Sequence, residues 1–401
     1  MMKSNFKHNL NFSVYGQSHD DEIGIIVKNI PSGYLIDFKE INNILLLRQG
    51  NDSFNTKRQE KLKYQIKSGF NLISKDNQAI TNGDTIEVVF FNTYHKKADY
   101  DNILVQPRPG HVDYVAKMKY QDKHSIAGGG HFSGRLTLPL VFLGAVCKQI
   151  LAKHYPNMEV ISHINSFASY KDIGYYDLRK FLVDKVIPDN IDKYSNINLQ
   201  LLSIKLRDNL HKIIKNGIRN KNFPTFNQDT QDKMYKAATK LEDDSLGGQI
   251  ETIIINPPSF IGEPLFYSFE SIMATLVYSI PSIKDISFGN IDSFKNKKGS
   301  QVKDEILYLD NKKLTTIYNN NGGINGGITN GEDIVFSTIV KPIASINQPQ
   351  LTYNISKKKL TYLKIKGRHD RTIINRVIPV IDAVSYIVIY DLCLPDLKAE
   401  K

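Results

Sequence analysis

Cysteine is almost absent. Cys147 and Cys393 are the only two in 401 residues, and each lies inside an apolar stretch (AVCKQIL and IYDLCLP). Two such thiols build neither a zinc ribbon nor a disulfide framework, so both are expected to be buried and inert. Long hydrophobic runs are equally scarce. The longest uncharged apolar run, residues 136–147, contains Pro139 and falls short of the about 18–20 residues that a bilayer crossing needs. The N-terminus, MMKSNFKHNLNFSVYG, shows neither the apolar core nor the small-residue cleavage site of a signal peptide. No membrane span and a cytoplasmic location are therefore expected. With 25 Gly and 15 Pro the chain is not collagen-like or of low complexity, and 41% apolar against 23% charged residues excludes a disordered one.

What is present is length and positive charge. The chain is long enough for two or three units or one large intertwined core. A formal net charge of +11 attracts anions, polymeric or small, without choosing between them. Lysines at 295–298 and 357–359 are flanked by Asn and Ser and read as solvated loops. Basic residues are not interleaved with aromatics along one element, as in a nucleic-acid groove, so no nucleic-acid partner is expected.

Residues 23–30 (IGIIVKNI, ended by Pro31) and 85–92 (TIEVVFFN, after Asn82-Gly83) read as strands. Residues 137–152 read as a helix with Pro139 in its first turn, apolar nearly all round, which places it between other layers. The polar and basic stretch 155–232 reads as an enlarged insertion or linker within a single domain covering 1–401. A helix follows at 232–241, with Met234, Ala237, Ala238 and Leu241 at helical spacing, then a strand at 249–256. Ser268 caps a helix that stops before Pro281, residues 332–340 form a strand, and the last helix runs 379–392 with proline in its first turn. VKNIPSGY and IINPPSFIG share Asn-x-Pro-Ser after an apolar strand, as a duplicated half would.

Five segments gather the groups that carry chemistry. In YGQSH (15–19), Asp20 stands where a nucleophile elbow needs its second glycine, so Ser18 is not read as a nucleophile, while His19 can supply a proton. PRPGHVDY (107–114) presents Arg108, His111 and Asp113 together, either as a functional set or as a simple Arg108–Asp113 pair. GGGHFSGRLT (128–137) leads into the apolar helix as an anion site, with Arg135 as a bidentate fork. Arg135-Leu136 replaces the Lys-Ser/Thr of a P-loop, which is excluded. NNNGGINGGITNG (319–331) can lie flat against a planar ligand or be merely flexible, and KPIAS (341–345) and GRHD (367–370) complete the set.

In this order the segments resemble the chorismate synthase family over nearly the whole chain. The markers include GQSH, RQG (48–50) with TKRQE (56–60), PRPGHVDY, GGGHFSGRLT, DSLGGQIE (244–251), IGEPLF (261–266), SIPSIKDISFG (279–289), GSQVKDE (299–305), NNNGGINGGITNG, KPIASI, and GRHD followed by Arg376 and Pro379. The resemblance implies an α+β fold with central helices sandwiched between antiparallel β-sheets, two pseudo-symmetric halves and a homotetramer. It implies a 1,4-elimination of phosphate from 5-enolpyruvylshikimate 3-phosphate to give chorismate, with reduced FMN supplied by an external flavin reductase or NAD(P)H. Residue by residue, it makes His19, His111 and Asp370 catalytic. Arg48, Arg58, Arg135 and Arg368 would neutralise the substrate. His131, Phe132, Ser133, Pro281, Ser282, Gly326, Lys341, Pro342, Ile343, Ala344, Ser345 and again Arg368 would hold the flavin. No metal is implied. The chain departs from the family pattern in SHD for SHG, in LLRQG with Arg48 alone, and in GRHDR for GRHDP. The alternative is a divergent FMN-binding member without the elimination.

Overall fold

The segment EIGIIVK puts Ile23, Ile25 and Val27 at alternate positions, and a period of two sends all three to one face. The computed structural model describes residues 4–50, 54, 62–73, 77–92, 105–121, 127–186, 199–218, 223–309, 314–365 and 369–399, and in it this segment is strand β3 (Glu22–Lys28), with those three side chains buried. With β1 (Asn5–Lys7), β2 (Asn11–Gly16), β5 (Tyr64–Ser68) and β8 (Ile86–Phe91) it makes an antiparallel sheet of order β1-β2-β3-β8-β5. Strands β4 (Leu35–Asp37), β6 (Phe70–Ile73) and β7 (Gln78–Thr81) form a small sheet of order β4-β7-β6. The second large sheet has order β10-β9-β11-β17-β12, from β9 (Glu159–Phe167), β10 (Tyr170–Lys171), β11 (Gly248–Ile255), β12 (Ile283–Phe288) and β17 (Ile334–Val340). Three hairpins complete the strands: β13 (Ile306–Leu309) with β14 (Leu314–Thr316), β15 (Ile324–Asn325) with β16 (Ile328–Thr329), and β18 (Gln350–Asn354) with β19 (Lys359–Leu363).

The helices are α1 (Phe38–Gln49), α2 (Asp113–Tyr120), α3 (Thr137–His154), α4 (Tyr175–Val186), α5 (Leu199–Ile218), α6 (Gln228–Lys240), α7 (Phe269–Val277), the short α8 (Ile291–Asn296) and α9 (Gly299–Val302), and α10 (Ile374–Ala399). Helix α3 lies along α10, and they touch at Gly144, where a Cβ would come within 2.5 Å of the Ala383 backbone. Helix α3 also meets β3 and β4, while α10 meets β9 and β11, so the helix pair separates the two sheets. This is the α+β sandwich expected. Strand β11 is covered on both sides. Ile250 and Ile254 join the central core, and Ile253 and Ile255 pack with Leu206, Leu210 and Ile214 of α5. Each such burial contributes about 1.5–3 kcal/mol.

The Asn-x-Pro-Ser echo is a true duplication. Asn29 and Asn256 each follow an inner strand with positive φ, 74° and 48°. Their side-chain amides donate to the carbonyls of Asn9 (3.0 Å) and Asn157 (3.1 Å). Thr81 donates through Oγ1 to Pro31 O and Thr329 to Pro258 O, both at 2.7 Å, while Tyr34 N and Ile261 N donate to those hydroxyls. The matching turns Asn82-Gly83 and Asn330-Gly331 each close with a backbone N–H onto the asparagine Oδ1 at 2.9 Å. The repeat ITNG, at 80–83 and 328–331, is thus the second signature of the same duplication.

The sequence reading needs three corrections. The last helix starts at Ile374 rather than 379, because Thr372 Oγ1 accepts from Ile374 N and starts the helix there; Pro379 therefore lies in the second turn. Residues 159–167, read as part of a polar insertion, are an inner strand of the second sheet. Its polar side chains pair internally, as in Ser162 with Thr252 (2.8 Å) and His163 with Glu251 (2.9 Å). Counting uncharged runs understated the central helices. Residues 134–154 and 374–397 are long and apolar enough to cross a bilayer, but 72% and 89% of those windows are buried inside the fold, because Lys148 and Asp382 interrupt a run without ending a helix. Both cysteines are buried as expected.

Candidate functional site

Between β2 and β3 the chain reverses through YGQSH. Gly16 takes φ 91°, and a Cβ there would meet Glu22 O at 2.6 Å. Asn92 holds the turn by donating to the carbonyls of Ser18 and Asp20, both at 3.1 Å. The glycine run 128–130 wraps the same turn: Ser18 N donates to Gly130 O (3.0 Å), and His131 Nδ1 donates to Gly16 O (2.7 Å). The His19 imidazole lies so close to Gly128 that a Cβ there would be 2.2 Å from Nε2. Arg48, at the end of α1, ties its helix to the same loop by donating from Nε to Thr137 Oγ1 (2.8 Å) and from Nη2 to Gly134 O (2.6 Å).

The 107–114 loop is held by a buried pair. Arg108 donates from Nε to Asp113 Oδ2 and from Nη2 to Oδ1, both at 2.7 Å, and from Nη1 to Ser345 Oγ at 2.8 Å. Both readings of the segment therefore hold together, since the pair also touches His111, whose Nδ1 is 2.6 Å from Asp113 Oδ1. Burial alone would raise the Asp113 carboxyl, but the hydrogen bonds from Arg108 and His111 outweigh it and hold the group well below the usual carboxylate range. Lys341 Nζ donates to Gly110 O, joining KPIAS to this loop. Burial and Lys284 lower its affinity for a proton.

Ahead of α10, Asp370 accepts from Arg376 Nη1 at 2.7 Å, and Arg376 Nε donates to Gln49 O at 2.7 Å. His369 Nδ1 is 3.1 Å from Asn347 Oδ1, and Asn347 Nδ2 donates to Asp243 Oδ1 at 2.9 Å. Burial first, then the Arg108 charge, pushes His369 below its ordinary value, so it is neutral near pH 7.

These loops enclose one cavity of about 470 Å³. It is lined by His19, Arg48, His111, Phe132, Ser133, Arg135, Pro281, Ser282, Lys341, Ile343, Ala344, Ser345 and Asp370 of the residues singled out from the sequence. Ser282 holds φ 76°, a conformation a serine keeps only when its surroundings impose it. Three singled-out residues lie outside the lining. His131 turns to Gly16 O and Ser4 Oγ, Pro342 is passed over between Lys341 and Ile343, and Gly326 sits with Gly327 in the two-residue turn of the β15–β16 hairpin, both at positive φ. Arg58 and Arg368 lie outside the described residues.

Sequence reasoning missed several lining groups: Gln49, Lys63, Phe91, His369 and Arg376. Arg376 and His369 stood inside or beside a quoted motif. Lys63 and Phe91 carried no signal, since only the folding of β5 and β8 brings them to the cavity. The walls come from both halves in matching places. The end of α1 (Arg48, Gln49) and the segment after α7 (Ile280, Pro281, Ser282) both contribute, as do the starts of α3 (Thr137, Leu138) and of α10 (Ile373, Arg376, Val377). The site thus straddles the pseudo-twofold relation.

Comparison with known proteins adds the following. A family model described as chorismate synthase matches residues 10–394. The chain is 30% identical over 384 residues to chorismate synthase of Pyrococcus abyssi, covering 95% of each chain. It is 34% identical over 392 residues to that of Prochlorococcus marinus strain MIT 9301, covering 97% of this chain and 96% of the relative. A solved structure, described as a crystal structure of chorismate synthase, superposes with a TM-score of 0.61 at 23% identity, covering 97% of this chain and 92% of that one.

Proposed function

Because the chain belongs to the chorismate synthase family, a family of carbon–oxygen lyases, we propose that this cavity eliminates phosphate from 5-enolpyruvylshikimate 3-phosphate to give chorismate. The observation that carries the reading is the charge of the walls. Among the described lining residues are five cations, Arg48, Lys63, Arg135, Lys341 and Arg376, against one carboxylate, Asp370. Such an excess suits a ligand with two carboxylates and a phosphate, the latter alone carrying about −1.5 to −2. Arginine forks at 48 and 135 match carboxylate and phosphate oxygens in a way that ammonium groups do not.

Reduced FMN suits the same space. Phe132, Leu138, Ile280, Pro281, Ile343, Ala344 and Val380 supply apolar wall beside the cationic one, and the volume lies within the about 300–1,000 Å³ usual for cofactor sites. Phe132, Ser133, Pro281, Ser282 and the 341–345 segment would hold the flavin. When bound, it would lend electron density to the substrate as the C–O bond to phosphate breaks and recover it from the product framework, with no net redox change.

The chain's own residues then bind, orient and move protons. His19, fixed against Gly128, protonates or hydrogen-bonds the phosphate as it leaves, since a phosphate departs poorly as a trianion. His111 holds a proton at the flavin side. Asp370, held by the hydrogen bond from Arg376, would help take the proton from the substrate. Reduced flavin comes from an external flavin reductase or NAD(P)H. A homotetramer, which the family premise carries with it, would cover the β18–β19 hairpin, where Leu351, Tyr353, Leu360 and Tyr362 line up across the strands and are exposed.

The test is anaerobic: purified protein, dithionite-reduced FMN and 5-enolpyruvylshikimate 3-phosphate, following chorismate absorbance and phosphate release. Chorismate is expected only with reduced flavin. His19→Ala, His111→Ala and Asp370→Ala should each cost about 10²–10⁴-fold in turnover. FMN binding without product would support the divergent, non-eliminating reading instead, and near-wild-type turnover in all three variants would overturn the assigned roles.

A further inference from the structure

Asp113 is a buried anion for which the elimination has no direct use. It stands in the first turn of α2 with its side chain 1% exposed, and both of its oxygens are occupied. Oδ2 accepts from Arg108 Nε (2.7 Å) and from the Arg108 backbone N–H (3.1 Å), and Oδ1 accepts from Arg108 Nη2 (2.7 Å). The remaining contact of Oδ1 is His111 Nδ1 at 2.6 Å. Two acceptors do not sit that close, so Nδ1 carries a proton and donates to the carboxylate, which assigns the tautomer. Nε2 is then the nitrogen left to act in the cavity.

Arg108 adds a second constraint. Its Nη2 lies 3.0 Å from the same His111 Nδ1, and its Nη1 is anchored on Ser345 Oγ. The ring therefore sees one anion and one cation at nearly equal range. The anion favours the imidazolium and the cation opposes it, each able to displace a neighbouring titration by about one unit or more.

We propose that Asp113 and Arg108 are positioning residues acting jointly through His111: Asp113 fixes the ring's tautomer and aim, and Arg108 cancels the field Asp113 would otherwise impose on its protonation. The inference rests on the proton role given to His111 above. Other charged or titratable groups around the cavity are Lys341, joined to Gly110 O; His369; Asp370 with its partner Arg376; and His19, Arg48, Lys63 and Arg135 on the remaining walls. None of these side chains is replaced in the test, and His369, which the Arg108 charge also lowers, is followed through its own ring resonance so that its movement is told apart from that of His111.

The experiment pairs a ring titration with a pH–rate profile on the full chain. The His111 ring resonance, identified by its loss in His111→Ala, is titrated in wild type, Asp113→Asn, Arg108→Gln and the double variant, and the pH dependence of kcat is measured for each. Asp113→Asn should lower the midpoint and Arg108→Gln raise it, each by about one pH unit. The double variant leaves no orphan buried charge, so it remains informative if either single variant fails to fold. Its midpoint should return close to wild type while kcat stays low, because the aim of the ring is lost although the field is balanced. Midpoints that do not move in opposite directions, or a double variant with wild-type kcat, would overturn the proposal. If the midpoints move as stated but the kcat profile does not follow them, the charge balance stands and the proton role of His111 fails.

Discussion

The Gly128→Ala substitution probes the site most sharply. Gly128 holds φ 59°, in the left-handed region, where a side chain costs about 1–2 kcal/mol. That strain dominates the expected loss of stability, because the atoms the new Cβ meets are side-chain ends of His19 and Ser18 that can move. The larger effect falls on His19. The new Cβ would lie 2.2 Å from Nε2 and 2.5 Å from Cδ2, whereas ordinary van der Waals contact begins at 3.4 Å. The imidazole must therefore retreat by roughly 1 Å, a displacement that can cost about 100-fold in rate when reacting groups are positioned for attack. Steady-state turnover with reduced FMN, beside urea unfolding of the same preparation, separates the two effects. The expected result is kcat down by about two orders of magnitude with stability down by no more than about 2 kcal/mol. In the double variant Gly128→Ala/His19→Ala the losses should not add, because both act on one group. A folded Gly128→Ala protein with wild-type turnover, or fully additive losses, would refute the claim that the glycine exists to seat His19.

Three further outcomes concern the frame. Gly144→Ala should lower the melting temperature despite alanine's better helix propensity, because a Cβ 2.5 Å from the Ala383 backbone forces α3 and α10 apart, at a cost of about 1–3 kcal/mol; a rise in Tm would contradict the close crossing. Glu332→Gln should cost about 3–5 kcal/mol in urea unfolding, since it strips the bidentate partner from buried Arg179 (both contacts 3.0 Å); a loss under 1 kcal/mol would show that Asp333 compensates. For His163, burial alone lowers the proton affinity, but Asp172 and Glu251 outweigh it and raise the ring above its ordinary 6.5. The protonated ring thus favours the folded state fully below pH 6.5, and that contribution is lost as pH rises through the higher folded value. Melts of wild type should decline with rising pH over this range, and His163→Gln should flatten the decline; identical slopes would remove His163 from the balance.

Much was legible in the sequence because it is written in local periods. The alternation of Ile23, Ile25 and Val27, the all-round apolar character of 137–152, and Ser268 before an apolar run each specify a strand, a buried helix or a cap from a few neighbouring residues. The fragment Asn-x-Pro-Ser already pointed to two related halves, and ITNG, twice present, would have strengthened that reading. His19, His111, Arg135 and Asp370 stood in short runs unlike solvated loops, while Arg48 and the roles of all five came from the resemblance to the family.

What local pattern could not supply is pairing at long range. The strand 159–167 looks polar in sequence because it carries Ser162, His163 and Asn165, and partners on β11 and α10 make Ser162 and His163 compatible with an inner strand. Helix α10 begins five residues before the proline that seemed to start it, since a threonine hydroxyl outside the periodic stretch caps it. His131, next to the lining residue Phe132, and Gly326 lie outside the lining because a contact with the first strands and a hairpin turn claim them. Lys63, Phe91 and His369, the last held through Asn347 by Asp243, line the cavity only when both sheets close on the central helices. The sequence by itself determined which residue types meet anions and which segments bury themselves, because those follow from side-chain chemistry and local period. The tertiary structure alone decided which charges face each other around His111, which of its nitrogens is left to act and which glycine seats His19, because these depend on distances between atoms that local period does not fix.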